Sequence, residues 1–492
     1  MGKNVNIYFS DFFAVDKGIL EQEGIFDISL INDLPVFIDP FLIFNSEKQE
    51  YKNLHIQIIE YIKFLKDHAH EDINKGILKY CFQFPEVKQN WLGYSLKGND
   101  GAGLGPKFAA ALNYNLANIF KNFGNETITK SSHLEKFCLV RQGVGKDNIS
   151  DLTTNLIKGF LCSYTECFAK KYIDSKYLRE ILVDKVSFDY KLKRWFPKKF
   201  TLPFFNGDYI ILSPKDILTK DEAWINKKDL LANFDDISEA LPNEVLRAQI
   251  SSFIAKVTPD NPKKNELDEV VIKTYNEFPE LIDYFIKYKE DNGNQAVLSS
   301  LNKVKETEEI FIKSVKSLAI KLKQVDFYEH TTDSFDESFQ RVLFLKQVIE
   351  NNDGYRLFYH KGLPIKKESD LQLIFRLTWY ATDYDVNSEV NNGRGPVDYK
   401  ISKGLDKTLV EFKLASNSKL KQNLENQVKV YEEANKTKKS IKVILFFEDE
   451  ELQKLQRIFK DLEVFDLKEA NIVLIDARDN KLSASNVKSS PN

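Results

Sequence analysis

The chain has 492 residues, about three times the length of one ordinary domain, so two or three domains are expected. Apolar residues make up 42% and charged residues 29%, which excludes global disorder. Seventy Lys/Arg against 73 Asp/Glu give a net charge of -3, which removes the argument for nucleic-acid binding from a basic total while leaving room for a local basic face.

The opening segment MGKNVNIYFSDFF lacks the basic stretch and long apolar core of a secretory leader, and no apolar run is long enough to span a bilayer. A soluble, cytoplasmic protein with no membrane partner is expected. Four cysteines (Cys81, Cys138, Cys162, Cys167) without a CxxC pair point to neither a disulfide framework nor a structural zinc site.

Residues 1–255 alternate short apolar strands with helices, as an N-terminal α+β or α/β domain of unassigned fold would. Phe26–Ile31, Val36–Asp39 and Tyr209–Ser213 read as strands, the last stopped by Pro214. Leu54–His68 and Leu152–Tyr172 carry apolar residues every three to four positions and read as helices, with Ser150 or Asp151 as the N-cap of the second. Cys162 and Cys167 on that helix read as buried small hydrophobes.

Two loops in this half carry weaker signals. The glycine-rich Gly101–Gly105 segment before Pro106 could bind phosphate at a helix start, although a plain loop accounts for it. Asp147, Ser150 and Asp151 form an acidic turn that suits a ligand or, more simply, a helix cap, and Asp39 either joins it or bonds its own turn. The proline- and lysine-containing stretch 257–264 is the best linker. Residues 256–352 form a helical connector that spaces or couples the two ends, and 483–492 a disordered tail.

The chemistry lies in 353–482. A strand at Tyr355–Tyr359 and a helix at Glu368–Tyr380 precede a strand at Asp385–Val390, the glycine turn Asn391–Gly395 and a strand at Pro396–Ile401. The hairpin turn Gly404–Asp406 leads to a strand at Thr408–Leu414, then a polar helix at Ser418–Asn435 and strands at Lys442–Phe447 and Ile472–Asp476. Strand alternation puts Glu411 and Lys413 on one face and Val410, Phe412 and Leu414 on the other. Asp398, one short hairpin away, can approach Glu411. Two carboxylates that close repel, and a shared hard cation reconciles them. Gln427 and Tyr431 stand at i and i+4 on one helix face.

Asp398 followed by Glu411-Phe412-Lys413 resembles the Asp…(Asp/Glu)-x-Lys signature of the PD-(D/E)XK nuclease superfamily. The order of elements and the Gln427-x-x-x-Tyr431 helix are similar to that restriction-endonuclease-like fold over roughly 120 residues. Val397 separates proline from aspartate, a departure common in the superfamily. The resemblance implies an α/β fold with a restriction-endonuclease-like core and phosphodiester hydrolysis with Mg²⁺ or Mn²⁺. Asp398, Glu411 and the Phe412 carbonyl would hold the metal and Lys413 would position or deprotonate the attacking water, with Glu368 or the competing Glu389 as a further acid. Gly393, Arg394 and Gly395 are candidates to cradle a phosphate. From 356 to 440 there are 16 Lys/Arg against 11 Asp/Glu, an excess that suits a phosphate backbone.

The function expected is thus a metal-dependent (endo)nuclease, acting on DNA ahead of RNA, with restriction or antiphage defence as the analogy. The alternative is a catalytically silent or ligand-gated nucleic-acid-binding protein using the same fold as a platform. A homodimer or partner protein through the N-terminal or helical region is left open.

Overall fold

The computed structural model describes residues 6–69, 80–93, 104–140, 145–220, 222–239, 241–259, 264–324, 333–351, 355, 358–360, 363–364, 368–379, 382, 384–391, 396–425 and 439–479. The fold is mixed α/β, and its C-terminal region holds a five-stranded mixed sheet. Among the described residues no helix is long and apolar enough to cross a membrane.

In the N-terminal region β1 (Val36–Ile38) will pair far along the chain. Next come a long exposed hairpin of β2 (Leu178–Asp189) and β3 (Arg194–Phe205), the short β4 (Asp208–Tyr209), and β5 (Leu218–Lys220), which is the antiparallel partner of β1. Helix Gln49–Asp67 buries Tyr51, Leu54, Ile58, Tyr61, Ile62 and Leu65, the three-to-four spacing that the sequence shows.

Several expectations for this half are corrected. Phe26–Ile31 is buried but forms no ladder: Phe26 N–H donates to the Ser213 carbonyl, the Ile28 carbonyl accepts from Phe9 and Leu30 N–H donates to Ile7. The backbone changes partner at each step, so only isolated bridges form. Tyr209–Ser213 likewise keeps only its first residue in a strand, since Ile210, Ile211 and Leu212 donate to Pro203, Gln89 and the Thr165 hydroxyl in turn.

Leu152–Tyr172 is two helices, Lys146–Leu156 and Lys158–Tyr172, broken at Ile157. The N-cap of the first is Gly145, whose N–H donates to the Asn148 side chain; Ser150 and Asp151 lie inside the helix, and Ser150 Oγ accepts the Ile38 N–H. Asp39 caps helix Pro40–Phe44, accepting from Phe41 and Trp224. Cys162 is buried, but Cys167 is exposed, because five residues along a helix carry it off the buried face. All four cysteines are free thiols.

The helical region does more than space the ends. Lys136 is buried between Glu126 and Asp283, and Glu290 accepts from Lys130 N–H, Ser131 N–H and His133, so helix Glu280–Asp291 is fixed to the N-terminal core by buried charge. The proline stretch falls between helices Glu244–Val257 and Lys264–Glu277, with 260–263 outside the described residues.

The C-terminal sheet has the order β12-β11-β10-β9-β8, where β8 is Asp385–Asn391, β9 Pro396–Lys403, β10 Asp406–Leu414, β11 Ser440–Phe446 and β12 Ile472–Asp476. β8, β9 and β10 form an antiparallel meander; β10, β11 and β12 run parallel, as crossovers through intervening helices require. Gly404, at φ +63°, makes the tight β9–β10 turn that a side chain would strain. Of the described residues in the expected Tyr355–Tyr359 strand (355, 358 and 359) only Tyr359 is extended, within the two-residue pair β6 (Tyr359–His360) and β7 (Leu363–Pro364).

Both faces of this sheet are covered. Val410, Phe412, Ile441, Val443 and Leu445 join the main core with helices Ser334–Asn351 and Glu368–Leu377. Ile444 and Phe446 alternate onto the other face and pack with Leu455, Ile458 and Phe459 of helix Asp449–Asp461. Helix Ser334–Asn351, read within the helical segment by composition, lies on this sheet: Ser334 Oγ bonds Thr408 Oγ1 and Lys346 Nζ donates to the Leu474 carbonyl.

Candidate active site

β10 is the central strand, and its alternation decides what each face receives. Phe412 is fully buried, its ring 4.9 Å from Phe375 and 6.4 Å from Tyr399. Locking Phe412 into the core sends its neighbours Glu411 and Lys413 to the opposite face. The β9–β10 ladder runs from Lys403↔Asp406 to Tyr399↔Val410. Just past its end the Asp398 side chain accepts the Phe412 N–H at 2.5 Å, taking up a backbone donor with a carboxylate.

Four side chains meet at this point. Lys413 Nζ stands 3.1 Å from Glu411 Oε1, 3.5 Å from Glu368 Oε2 and 3.8 Å from Asp398 Oδ2. Glu368 comes from the first turn of helix Glu368–Leu377, and its other oxygen accepts from Leu414 N–H at 3.3 Å and from Asn417 Nδ2 at 3.2 Å. That double attachment places a helix acid at the end of a strand.

Burial raises the Asp398 carboxyl to about 7, with Glu411 and Glu368 adding to the rise and Lys413 opposing it. Glu411 is raised for the same first reason, burial, against the pull of Lys413. For Lys413 burial favours the neutral amine, yet Asp398, Glu411 and Glu368 outweigh it and hold the amine above its usual value. The group is a buried ammonium ringed by three acids, two of which are reluctant to ionise.

Asp398, Glu411, Lys413 and Glu368 are thus brought together, with the Phe412 backbone beside them. Glu389 belongs to β8, but its side chain lies outside the described residues, as do Gly393, Arg394, Gly395, Gln427 and Tyr431. Residues 420–425 of the expected polar helix are helical. Among the described residues no group of three or more His, Cys, Asp or Glu is spaced to hold a metal ion, because the three acids are spaced around the ammonium.

Two neighbours escaped the sequence reading. Asn417 orients Glu368 from the loop after β10, where nothing in the local pattern marks it. Lys442 is the ladder partner of Glu411 in the parallel β10–β11 pair and draws its carboxyl down; the polar position in an otherwise apolar strand was the available signal.

Among the described residues the N-terminal signals do not assemble into a site. Gly101–Gly103 and residues 141–144 lie outside the described residues, while Pro106 starts helix Pro106–Tyr114 as expected. Asp147 and Asp151 sit in the first turns of their helix. A cavity of about 400 Å³ opens elsewhere, lined by Lys17, Glu21, Lys215, Lys305 and Glu308 among others.

Two family models match the chain. One, described as Domain of unknown function (DUF8370), matches residues 14–226; the other, described as Domain of unknown function (DUF8371), matches residues 334–449. No curated protein and no solved structure matches it. The second match begins at the first residue of helix Ser334–Asn351 and includes Glu368, Asp398, Glu411 and Lys413.

Proposed function

We propose that the chain is a metal-dependent nuclease with a restriction-endonuclease-like core in its C-terminal sheet, acting on DNA. The observation that carries this reading is the convergence of Asp398, Glu411 and Glu368 on Lys413 beside the end of the β9–β10 ladder. The element order around it, a helix, an antiparallel meander and parallel crossovers, supports the same reading.

The donor set suits a hard dication by its chemistry: three carboxylates gathered in a partly dry place, with two of them pushed toward protonation by burial. Asp398, Glu411 and the Phe412 carbonyl would hold Mg²⁺ or Mn²⁺, with Glu368 as the further acid. When bound, the metal supplies positive charge to a phosphate oxygen. Lys413, held protonated by its three acids, is a donor: it orients a water or a phosphate oxygen through an N–H rather than taking a proton. Phe412 and Phe375 keep the underside of the strand dry and rigid.

The spacing of the acids around an ammonium favours one second reading, a platform that binds nucleic acid without cutting. Cleavage of supercoiled and linear DNA in Mg²⁺, Mn²⁺ or EDTA by wild type and Lys413→Ala decides between them. Metal-dependent cutting that Lys413→Ala abolishes is expected. Cutting that survives the substitution places the chemistry elsewhere, and no cutting by either protein leaves the platform.

A further inference from the structure

The β2–β3 hairpin and the segment leading into it are locally basic in a chain that is acidic overall. Residues 170–199 hold ten Lys/Arg against four Asp/Glu, in a protein whose total is -3. Each strand is 12 residues long, and the turn exposes Tyr190, Lys191, Leu192 and Lys193. Both ends are anchored: Phe200 and Leu202 are buried and Thr201 N–H donates to Glu166 of the helix beneath, while Phe188 and Trp195 near the turn pack on Tyr61 of helix Gln49–Asp67.

The ten cations of residues 170–199, of which Lys170, Lys171 and Lys176 precede the hairpin, divide into three sets; Arg179, Lys185 and Lys193 bond backbone carbonyls or His68. Lys170, Lys171, Lys176 and Lys199 are neutralised by Glu166, Glu23, Asp174 and Glu180. Lys191, Arg194 and Lys198 are exposed and have no carboxylate partner among the described residues. Arg194 lies over the Phe196 ring at 4.5 Å and Lys198 over Phe200 at 5.1 Å, so aromatic faces rather than acids hold these cations upright. Residues 194, 196 and 198 alternate onto one face. Arg194 and Lys198 are therefore about 14 Å apart along the strand, close to the rise of four nucleotides.

We propose that this ribbon is the docking element for duplex DNA, with Lys191, Arg194 and Lys198 contacting phosphates. The choice of partner rests on the nuclease reading above; the surface itself rests on charge complementarity. A two-stranded ribbon fits the wide major groove of B-form DNA, whereas the deep, narrow major groove of duplex RNA excludes it. Unpaired cations serve a polyanion well, because they surrender no ion pair on binding and release counterions from the phosphates.

The test is fluorescence anisotropy of a labelled 30-base-pair duplex with the full chain in EDTA, where no metal-dependent cutting occurs, over a series of salt concentrations. Wild type is expected to bind, and Lys191→Ala/Arg194→Ala/Lys198→Ala to bind at least tenfold more weakly, with a salt slope shallower by about 2 to 3. Lys191→Arg/Lys198→Arg should retain wild-type affinity, and all three proteins should melt together, because the altered groups are exposed.

Unchanged affinity and slope in the triple variant overturn the proposal, as does a wild type that binds duplex RNA or an acidic protein in preference to duplex DNA, or binds no duplex. The two readings fail separately. A wild type that binds through the ribbon but never cuts removes the nuclease and leaves the ribbon; one that cuts while the triple variant binds normally removes the ribbon and leaves the nuclease.

Discussion

Asp398 Oδ2 accepts the backbone N–H of Phe412 at 2.5 Å, joining the acid of one strand to the peptide between Glu411 and Lys413 on the next. The bond fixes Asp398 relative to the Glu-x-Lys segment through backbone, so its position does not depend on the rotamer of either charged neighbour. It also leaves the second oxygen of Asp398 for another partner.

Lys413 stands within ion-pair reach of three acids, so its removal should be costly to the fold as well as to chemistry. Lys413→Ala is expected to lose about 3 kcal/mol, the scale on which a buried ion pair is missed when one partner goes. Chemical denaturation at pH 7 measures this. Mn²⁺ should then raise the melting temperature of Lys413→Ala at least as much as that of wild type, since the dication meets no ammonium there. Equal stability of the two proteins without metal would mean that the amine is not the counter-ion of this cluster.

Substitution separates Glu368, which is tied to Leu414, Asn417 and Lys413, from Glu389. Glu368→Gln keeps the amide oxygen available to Leu414 N–H while losing the charge toward Lys413. It is expected to cut activity by at least tenfold and cost the fold under about 1 kcal/mol. Glu389→Gln should leave cleavage near wild type. Comparing initial rates of plasmid nicking settles the assignment, and the reverse ranking would move the further acid to β8.

Arg341 ties helix Ser334–Asn351 to the rest of the C-terminal unit. Its guanidinium pairs with Glu337 at 2.5 Å, donates to the Thr378 carbonyl at the end of helix Glu368–Leu377 and lies 4.0 Å from the Trp379 ring. Arg341→Ala strands the buried Glu337 carboxylate and is expected to cost about 3–5 kcal/mol. Arg341→Met should recover part of this if packing over Trp379 contributes. A loss below 1 kcal/mol in urea titration would show that the helix is held by apolar contacts alone.

Asp151 gives a pH dependence that is independent of the candidate site. Burial, with Glu86 and Asp147 adding to it, raises its carboxyl to about 8. The folded state therefore holds a proton that the unfolded chain releases near 4. The resulting stabilisation is complete below pH 4 and is lost as pH rises toward 8. Asp151→Asn, which imitates the protonated acid, should match wild type at pH 4 and exceed it at pH 8 by roughly 5 kcal/mol. Thermal melts at the two pH values check this; the same difference at both would exclude a proton-linked cause.

The C-terminal sheet was legible because its local and tertiary instructions agree. The Gly404 turn, the alternation of apolar and charged residues from Val410 to Leu414 and the apolar runs of β11 and β12 each specify a strand by themselves, and crossover helices then leave β11 and β12 few places to pair. The N-terminal strands misled for the opposite reason. Phe26–Ile31 and Ile210–Ser213 are as apolar as true strands, but their backbone groups are shared among unrelated partners, and hydrophobic pattern records burial rather than pairing. The β2–β3 hairpin was overlooked because lysines and Pro197 interrupt it and much of its surface faces water.

Local pattern marked Asp398, Glu411 and Lys413 as candidates, with Glu368 and Glu389 as alternatives, and put Glu411 and Lys413 on one face, since alternation along a strand is a local property. Tertiary structure decided that Glu368 reaches the same place, that Asp398 spends an oxygen on the Phe412 N–H, and that three acids close around one ammonium. It also decided which lysines of the β2–β3 ribbon are matched by acids and which are not. Those outcomes depend on the packing of elements far apart in the chain, where charge, burial and distance act together and no local pattern can specify them.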